Sequence, residues 1–167
     1  GKDILENLNY IQTFHEGALS KDSSAGIESA LEPGEESDNS TYQHVTIHSD
    51  YDHVTWGNLN PQVEQGERWM IKEINSVSIS VEIQFLARCT GEENETDLYQ
   101  TKEYFRVRHV ADSGSTYLLD YDRTMEQIFD PTKQVLSENG VLLGIADSDT
   151  PYLVNGDGSV VSFVTAN

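Results

Sequence analysis

Ser76-Val77-Ser78-Ile79-Ser80-Val81-Glu82-Ile83-Gln84-Phe85-Leu86-Ala87-Arg88 is the stretch whose period decides the fold. Its odd positions from Val77 to Ala87 are apolar and its even positions are polar, apart from Leu86. A repeat of two over this length predicts a strand with one face on a core and the other in water. Gly91-Glu92-Glu93-Asn94 follows as a loop, and Leu98 to Val110 reads as a second long strand. Asp112-Ser113-Gly114-Ser115 is a turn, and Thr116 to Asp122 is a third strand. Three such runs joined by short polar turns predict an antiparallel meander.

The register follows from parity. A slip of one residue would turn every apolar side chain outward, so paired positions share parity. Short loops predict pairs whose numbers sum to about 188 in the first hairpin and about 226 in the second. The inward rows are then Val81–Val107–Leu119 and Ile83–Phe105–Tyr121, and the outward row is Glu82–Arg106–Asp120. The same parity turns His109 inward, between Ile79 and Tyr117, and turns Cys89 inward as a buried structural thiol.

Upstream, Ile4, Leu5, Leu8, Ile11, Phe14, His15, Ala18 and Leu19 recur at spacings of three and four, which predicts an amphipathic helix over 3–20. Asp3 caps its start, and Glu6 places negative charge in its first turn. Ala25 to Leu31 reads as a short second helix ending at Pro33-Gly34, and Glu35 to Ser40 as an acidic loop. Residues 42–48 alternate weakly, and Tyr51 to Trp56 read as a resumed strand. Gly57 to Gly66 reads as loop, with a short helix possible after Pro61. Met125, Ile128 and Phe129 suggest a helical turn stopped before Pro131. Val141–Ala146, Tyr152–Val154 and Val160–Val164 return to a strand pattern. The chain is therefore expected to be one α+β domain over 1–167, with 131–167 as a C-terminal β extension.

Composition limits the function. In 167 residues, Lys and Arg number 10 against 29 Asp and Glu, a formal charge of -19. Such a field repels phosphate, which excludes nucleic acid and an anionic membrane surface as expected partners. One cysteine excludes an internal disulfide framework. Acidity and abundant Ser, Thr, Asn and Asp fit an extracytoplasmic bacterial domain; an acidic cytosolic protein has the same look. Gly1, with helical period starting at once, reads as a tag remnant on a chain whose upstream anchor or leader is missing. The sequons at Asn39 and Asn94 mark surface loops.

Few residues suggest chemistry. His44 and His48 share parity beside His53, Asp50 and Asp52, a set zinc would accept. Ligands four apart on a strand are roughly 13 Å apart at about 3.3 Å per residue, so the cluster reads as a solvated strand face. Asp147-Ser148-Asp149 and Asn155-Gly156-Asp157-Gly158-Ser159 resemble parts of calcium loops without completing the spacing, and read as turns. Lys102, Tyr104, Arg106 and Arg108 form a basic strand face, read as cross-strand pairing rather than a docking site. No phosphate-loop, dinucleotide or nucleophile-elbow motif occurs. No metal or cofactor is expected.

The order of a leading amphipathic helix, a short second helix, an irregular strand and then long antiparallel strands resembles the NTF2-like (cystatin-like cone) superfold over residues 3–123. The resemblance implies a curved sheet wrapped around the first helix, with a cavity at the open end. It also implies binding or assembly more often than catalysis. Enzymatic members place Asp, His or Tyr in the cone, and His109, Tyr117 and Tyr121 are the nearest analogues by parity. The expected function is a non-catalytic extracytoplasmic binding or assembly domain, with a protein partner or self-association. The alternative is a small-molecule-binding protein or enzyme using the cone pocket. A carbohydrate-binding β-sandwich, with Trp56 and Trp69 as stacking residues, is a third option that requires helix 3–20 to be peripheral.

Overall fold

The structure is a computed structural model that describes residues 2–35, 37, 39–91, 93–129, 135–136 and 142–143. It is α+β. Helix α1 (Lys2–Ser20) leads, followed by a single 3-10 turn (Ser23–Ala25) and the short α2 (Ile27–Ala30). Next come β1 (His44–Thr46), α3 (Tyr51–Val54), β2 (Gln62–Ile74), β3 (Ile79–Thr90), β4 (Thr96–Val110) and β5 (Ser115–Ile128). These strands form one curved, unclosed antiparallel sheet in the order β1-β5-β4-β3-β2. Of the expected C-terminal strands, only a two-residue pairing is described, β6 (Val135–Leu136) with β7 (Leu142–Leu143). The other runs assigned to that extension lie outside the described residues.

The apolar positions of the alternating run 79–89 form the core. Ile79, Val81, Ile83, Phe85, Ala87 and Cys89 are all buried, as are Phe105, Val107 and Tyr121 on the neighbouring strands. Helix α1 lies across this face and inserts Ile11, Phe14 and Ala18. Phe14 meets Phe105 edge-on at 5.4 Å and Tyr121 at 5.0 Å. A half-polar helix of nineteen residues is held by this burial rather than by propensity.

Parity survives, but the register differs in two places. Val81 pairs with Phe105 and Ile79 with Val107, so the first hairpin is shifted by two residues. The cause is the turn, which closes between Thr90 and Thr96. Gly91 N–H donates to the Glu95 carbonyl at 2.8 Å, and Asn94 supplies the left-handed residue at φ 65. A shift of two keeps every side chain on its expected face. In the second hairpin the expected sum holds from Leu98–Ile128 to Arg106–Asp120, and a bulge then puts Leu118 opposite Val107. Leu118 is buried in the place expected for Leu119, which is 40% exposed. The outward row is Ser80–Arg106–Asp120, while Glu82 opposes Tyr104.

Four segments differ in kind. Tyr51–Val54 is helical because Asp50 caps it, accepting from His53 N–H at 2.8 Å. Gln62–Ile74 is a strand rather than loop and helix. Val77 belongs to the turn that joins β2 to β3 and is exposed. The helical turn expected at Met125–Phe129 is the continuation of β5 to Ile128, with Met125 opposite Thr101.

Candidate functional site

The inward faces are not wholly apolar. Parity places Glu103 and Arg123 on the core side of β4 and β5, directly opposite each other. The helical period places His15 on the core stripe of α1. All three are fully buried, and such groups survive burial only when paired.

They are paired with one another. His15 Nδ1 donates to Glu103, and His15 Nε2 donates to Glu67 Oε2 of β2 at 2.5 Å. Tyr121 Oη donates to the other Glu103 oxygen at 2.5 Å and accepts from Arg123 Nη1 at 3.1 Å. Arg123 also donates to the carbonyls of Val54 and His53, both at 2.8 Å, so a buried cation closes the C-terminal end of α3. Its guanidinium lies 4.0 Å from the centre of the Trp56 ring. Trp56 is fully buried at φ 72, a left-handed backbone that the Arg123 contact and the core around it hold in place.

Electrostatics follows from this geometry. Burial works against the His15 imidazolium, but the Glu103 charge and the hydrogen bonds from Glu103 and Glu67 overcome it and lift the pKa to about 9. Burial likewise works against the Glu103 carboxylate; His15, Arg123 and the Tyr121 hydroxyl reverse this and hold it below the usual range. Burial pushes the Tyr121 phenol well above its ordinary value. The cluster thus holds two cations, His15 and Arg123, against two carboxylates, Glu103 and Glu67, and a neutral phenol. With both ring nitrogens protonated and engaged, His15 has no lone pair for base catalysis. Glu103 is inaccessible to a substrate in this arrangement. The chemistry it supports is cohesion: it ties helix, edge strand, central strands and α3 together.

The pocket residues expected from sequence are not gathered. Tyr121 sits in the buried cluster. His109 is half-buried near the end of β4, hydrogen-bonded to Thr116 Oγ1 at 2.8 Å. Tyr117 opposes Arg108, with its side chain exposed, because the β5 bulge changes its face. The histidines near β1 each take a separate partner: His44 bonds Asp122 at 2.9 Å, His48 the Glu32 carbonyl at 2.8 Å, and His53 Asp50 at 2.8 Å. His53 also stacks on Tyr42 at 4.3 Å. On the basic face, Tyr104 donates to Ser80 of β3 at 3.1 Å, and Arg106 to Ser78, just before β3, at 3.1 Å. Cys89 is buried as expected, and burial pushes its thiol up to about 11.

The sequence reading missed the His15–Glu103–Arg123 group, although its signal was present. Each is an ionisable residue at a core position of an otherwise apolar face. Glu67 has no such signal, because it follows the expected loop Gly57–Gly66 in a stretch with no regular period.

The second feature is at the surface. β2 is an edge strand, and no described strand pairs with its outer side. Trp69, Ile71 and Ile74 face the α1 side of the sheet, opposite Ile83, Val81 and Ile79, yet Ile71 and Ile74 are about half exposed, at 51% and 53%. Val77 continues this apolar strip into the turn. By the helical period, Leu5, also exposed, lies on the flank of α1 nearer to His15 than to Phe14, and His15 is the residue that reaches β2. Comparison with family models, curated proteins and solved structures yields no match to this chain.

Proposed function

We propose that this chain is a non-catalytic binding or assembly domain that works through the apolar corner of β2 and α1, within an architecture of the NTF2-like cone type. The observation that carries the reading is the contrast between its two polar-apolar features. On the concave side, Phe14, Phe105, Tyr121 and the His15–Glu103 pair fill the space where a cone enzyme would hold its substrate. On the surface, Trp69, Ile71, Ile74 and Val77 form a run of exposed large apolar side chains along one edge. Exposed apolar groups in a contiguous strip mark contact surfaces, and an unpaired strand edge offers backbone donors and acceptors to a partner. An extracytoplasmic setting belongs to the same proposal and is supported by composition alone.

The test is site-specific photocrosslinking in the cells that make the protein. A benzophenone side chain is placed at Ile74 in one variant and at Glu126, an exposed β5 residue at the far end of the sheet, in another. Adducts from position 74 and none from position 126 are expected. Adducts from neither position would overturn the reading.

A further inference from the structure

We infer that the His15–Glu67 bond is a proton-operated latch between α1 and the edge strand β2: when His15 gives up its proton this bond opens, while His15–Glu103 stays closed. Nothing in the latch depends on what meets the β2 corner, so it can fail without the binding-domain reading and survive without it.

Among the described residues, His15–Glu67 is the one ion pair between β2 and α1. The groups that face the His15 ring are Glu103 from β4, Glu67 and Trp69 from β2 and the Phe85 ring from β3, with Tyr121 and Arg123 of β5 behind Glu103. Both carboxylates accept from the imidazolium. A neutral imidazole keeps one N–H and presents a lone pair on the other nitrogen. One carboxylate must then face a lone pair at hydrogen-bond distance, and that contact is repulsive.

Burial decides which one. The Glu103 side chain is 1% exposed, whereas that of Glu67 is 26% exposed. Glu103 is sealed from water and held charged by Arg123 and the Tyr121 hydroxyl, so loss of its His15 donor would leave its desolvation uncompensated. Glu67 reaches water by turning its side chain outward. The remaining proton therefore stays on Nδ1, toward Glu103, and Nε2 loses Glu67.

The strand can follow. Register shifts flank the segment Glu67–Ile71, and at the first of them Gln65 and Gly66 have φ 64 and 83. No described strand pairs with the outer side of β2, so its backbone is held from the β3 side alone. The Trp69 indole N–H donates to the other Glu67 oxygen at 3.0 Å, and its ring stands edge-on to His15 at 6.3 Å. Release of Glu67 thus releases Trp69, which then extends the exposed strip of Ile71, Ile74 and Val77. With the His15 pKa lifted to about 9, the latch is shut at neutral pH and opens on the alkaline side.

The test is NMR of the purified full chain, with isotope-labelled histidine and aromatic rings, from pH 6.5 upward through 9. Nuclear Overhauser contacts between the Trp69 and His15 rings should be present at the start and lost above the His15 midpoint. The ring signals of Trp56, stacked on Arg123 beyond Glu103, should stay in place, and the circular dichroism spectrum should not change. Above the midpoint His15 should be the Nδ1–H tautomer. Glu67→Ala removes the latch, so the Trp69–His15 contacts should already be absent at pH 6.5, and the His15 midpoint should fall by about one unit, a tenfold loss of proton affinity. The titration of the unaltered chain stands by itself if that variant folds poorly. Contacts that persist above the midpoint would overturn the latch, because the strand then stays docked. An Nε2–H tautomer would overturn it by showing that Glu103 is the bond that breaks. Collapse of the circular dichroism spectrum at the same midpoint would overturn it as well, since the whole fold and not the joint would then open.

Discussion

His15 donates from both ring nitrogens, to Glu103 inside the core and to Glu67 on the edge strand, and its protonation is therefore bound up with folding. Its folded pKa, about 9, lies above the ordinary 6.5. A group raised in this way contributes stability that is fully present below about pH 6.5 and is lost as pH rises through 9. Glu103 is shifted the other way, so its contribution is present above the ordinary carboxylate range and is lost on acidification. Urea titrations should show the midpoint falling between pH 6.5 and 9, by at most about 3 kcal/mol from this residue. The His15 ring proton signal should titrate near pH 9 by NMR. A His15 midpoint at or below 6.5 would show that the carboxylates do not hold the imidazolium. Glu103→Gln is the sharper probe, because it leaves His15 and Arg123 buried with one anion fewer. It should cost about 3–5 kcal/mol in urea unfolding at neutral pH and lower the His15 midpoint. A cost under about 1 kcal/mol would mean that the cluster is incidental to the fold. The signal for this group lay in the sequence without being read: Glu103 shares the inward parity of the second long strand and His15 lies on the apolar stripe of the helix, while Arg123 follows directly after the third expected strand. What the sequence could not supply was the approach of His15 and Glu67, since this depends on how α1 crosses the sheet and on an edge strand with no period.

At the scale of elements, legibility followed burial. β3 was legible because one face is wholly covered, so selection of apolar residues repeats every second position. β2 was not, because it is an edge whose two irregularities break the period and whose inward face is only partly covered; it includes Glu67 beside Trp69 and Ile71. Tyr51–Val54 is a single turn, too short for any period, and only the cap at Asp50 announces it. The irregular joints give an element-scale expectation. Gly66 has φ 83 and nothing within 4 Å of where a Cβ would stand, so Gly66→Ala carries the left-handed backbone cost alone, about 1–2 kcal/mol. Gly57 has φ 50, and a Cβ there would stand 2.1 Å from the Tyr42 hydroxyl. Gly57→Ala must displace Tyr42 from its stack on His53 as well as bear the backbone cost. Thermal unfolding should show a lower Tm for Gly57→Ala than for Gly66→Ala. The reverse order would place the strain in the bulge of β2 rather than at the α3 junction.

The whole molecule carries its charge unevenly with depth. The cluster is neutral in sum, with His15 and Arg123 against Glu103 and Glu67, so the net negative charge of the chain resides elsewhere. Salt acts on these two populations differently. Screening shortens from about 10 Å at 0.1 M to about 3 Å at 1 M, and it reaches solvent-exposed charges far more than buried ones. Raising salt from about 0.1 to about 1 M should therefore raise Tm, because the acidic surface repels itself less in the compact state. The penalty of Glu103→Gln should stay nearly constant across the same range, since water and ions do not enter between His15, Glu103 and Arg123. Measuring both chains at both salts separates the contributions within one experiment, provided protein concentration is held low enough that association does not add its own stabilisation. A Tm indifferent to salt would mean that the surface acids are spaced too widely to repel. A Glu103→Gln penalty that shrinks with salt would mean that solvent reaches the cluster, and with it the assignment of His15 and Glu103 as a sealed structural pair would fall.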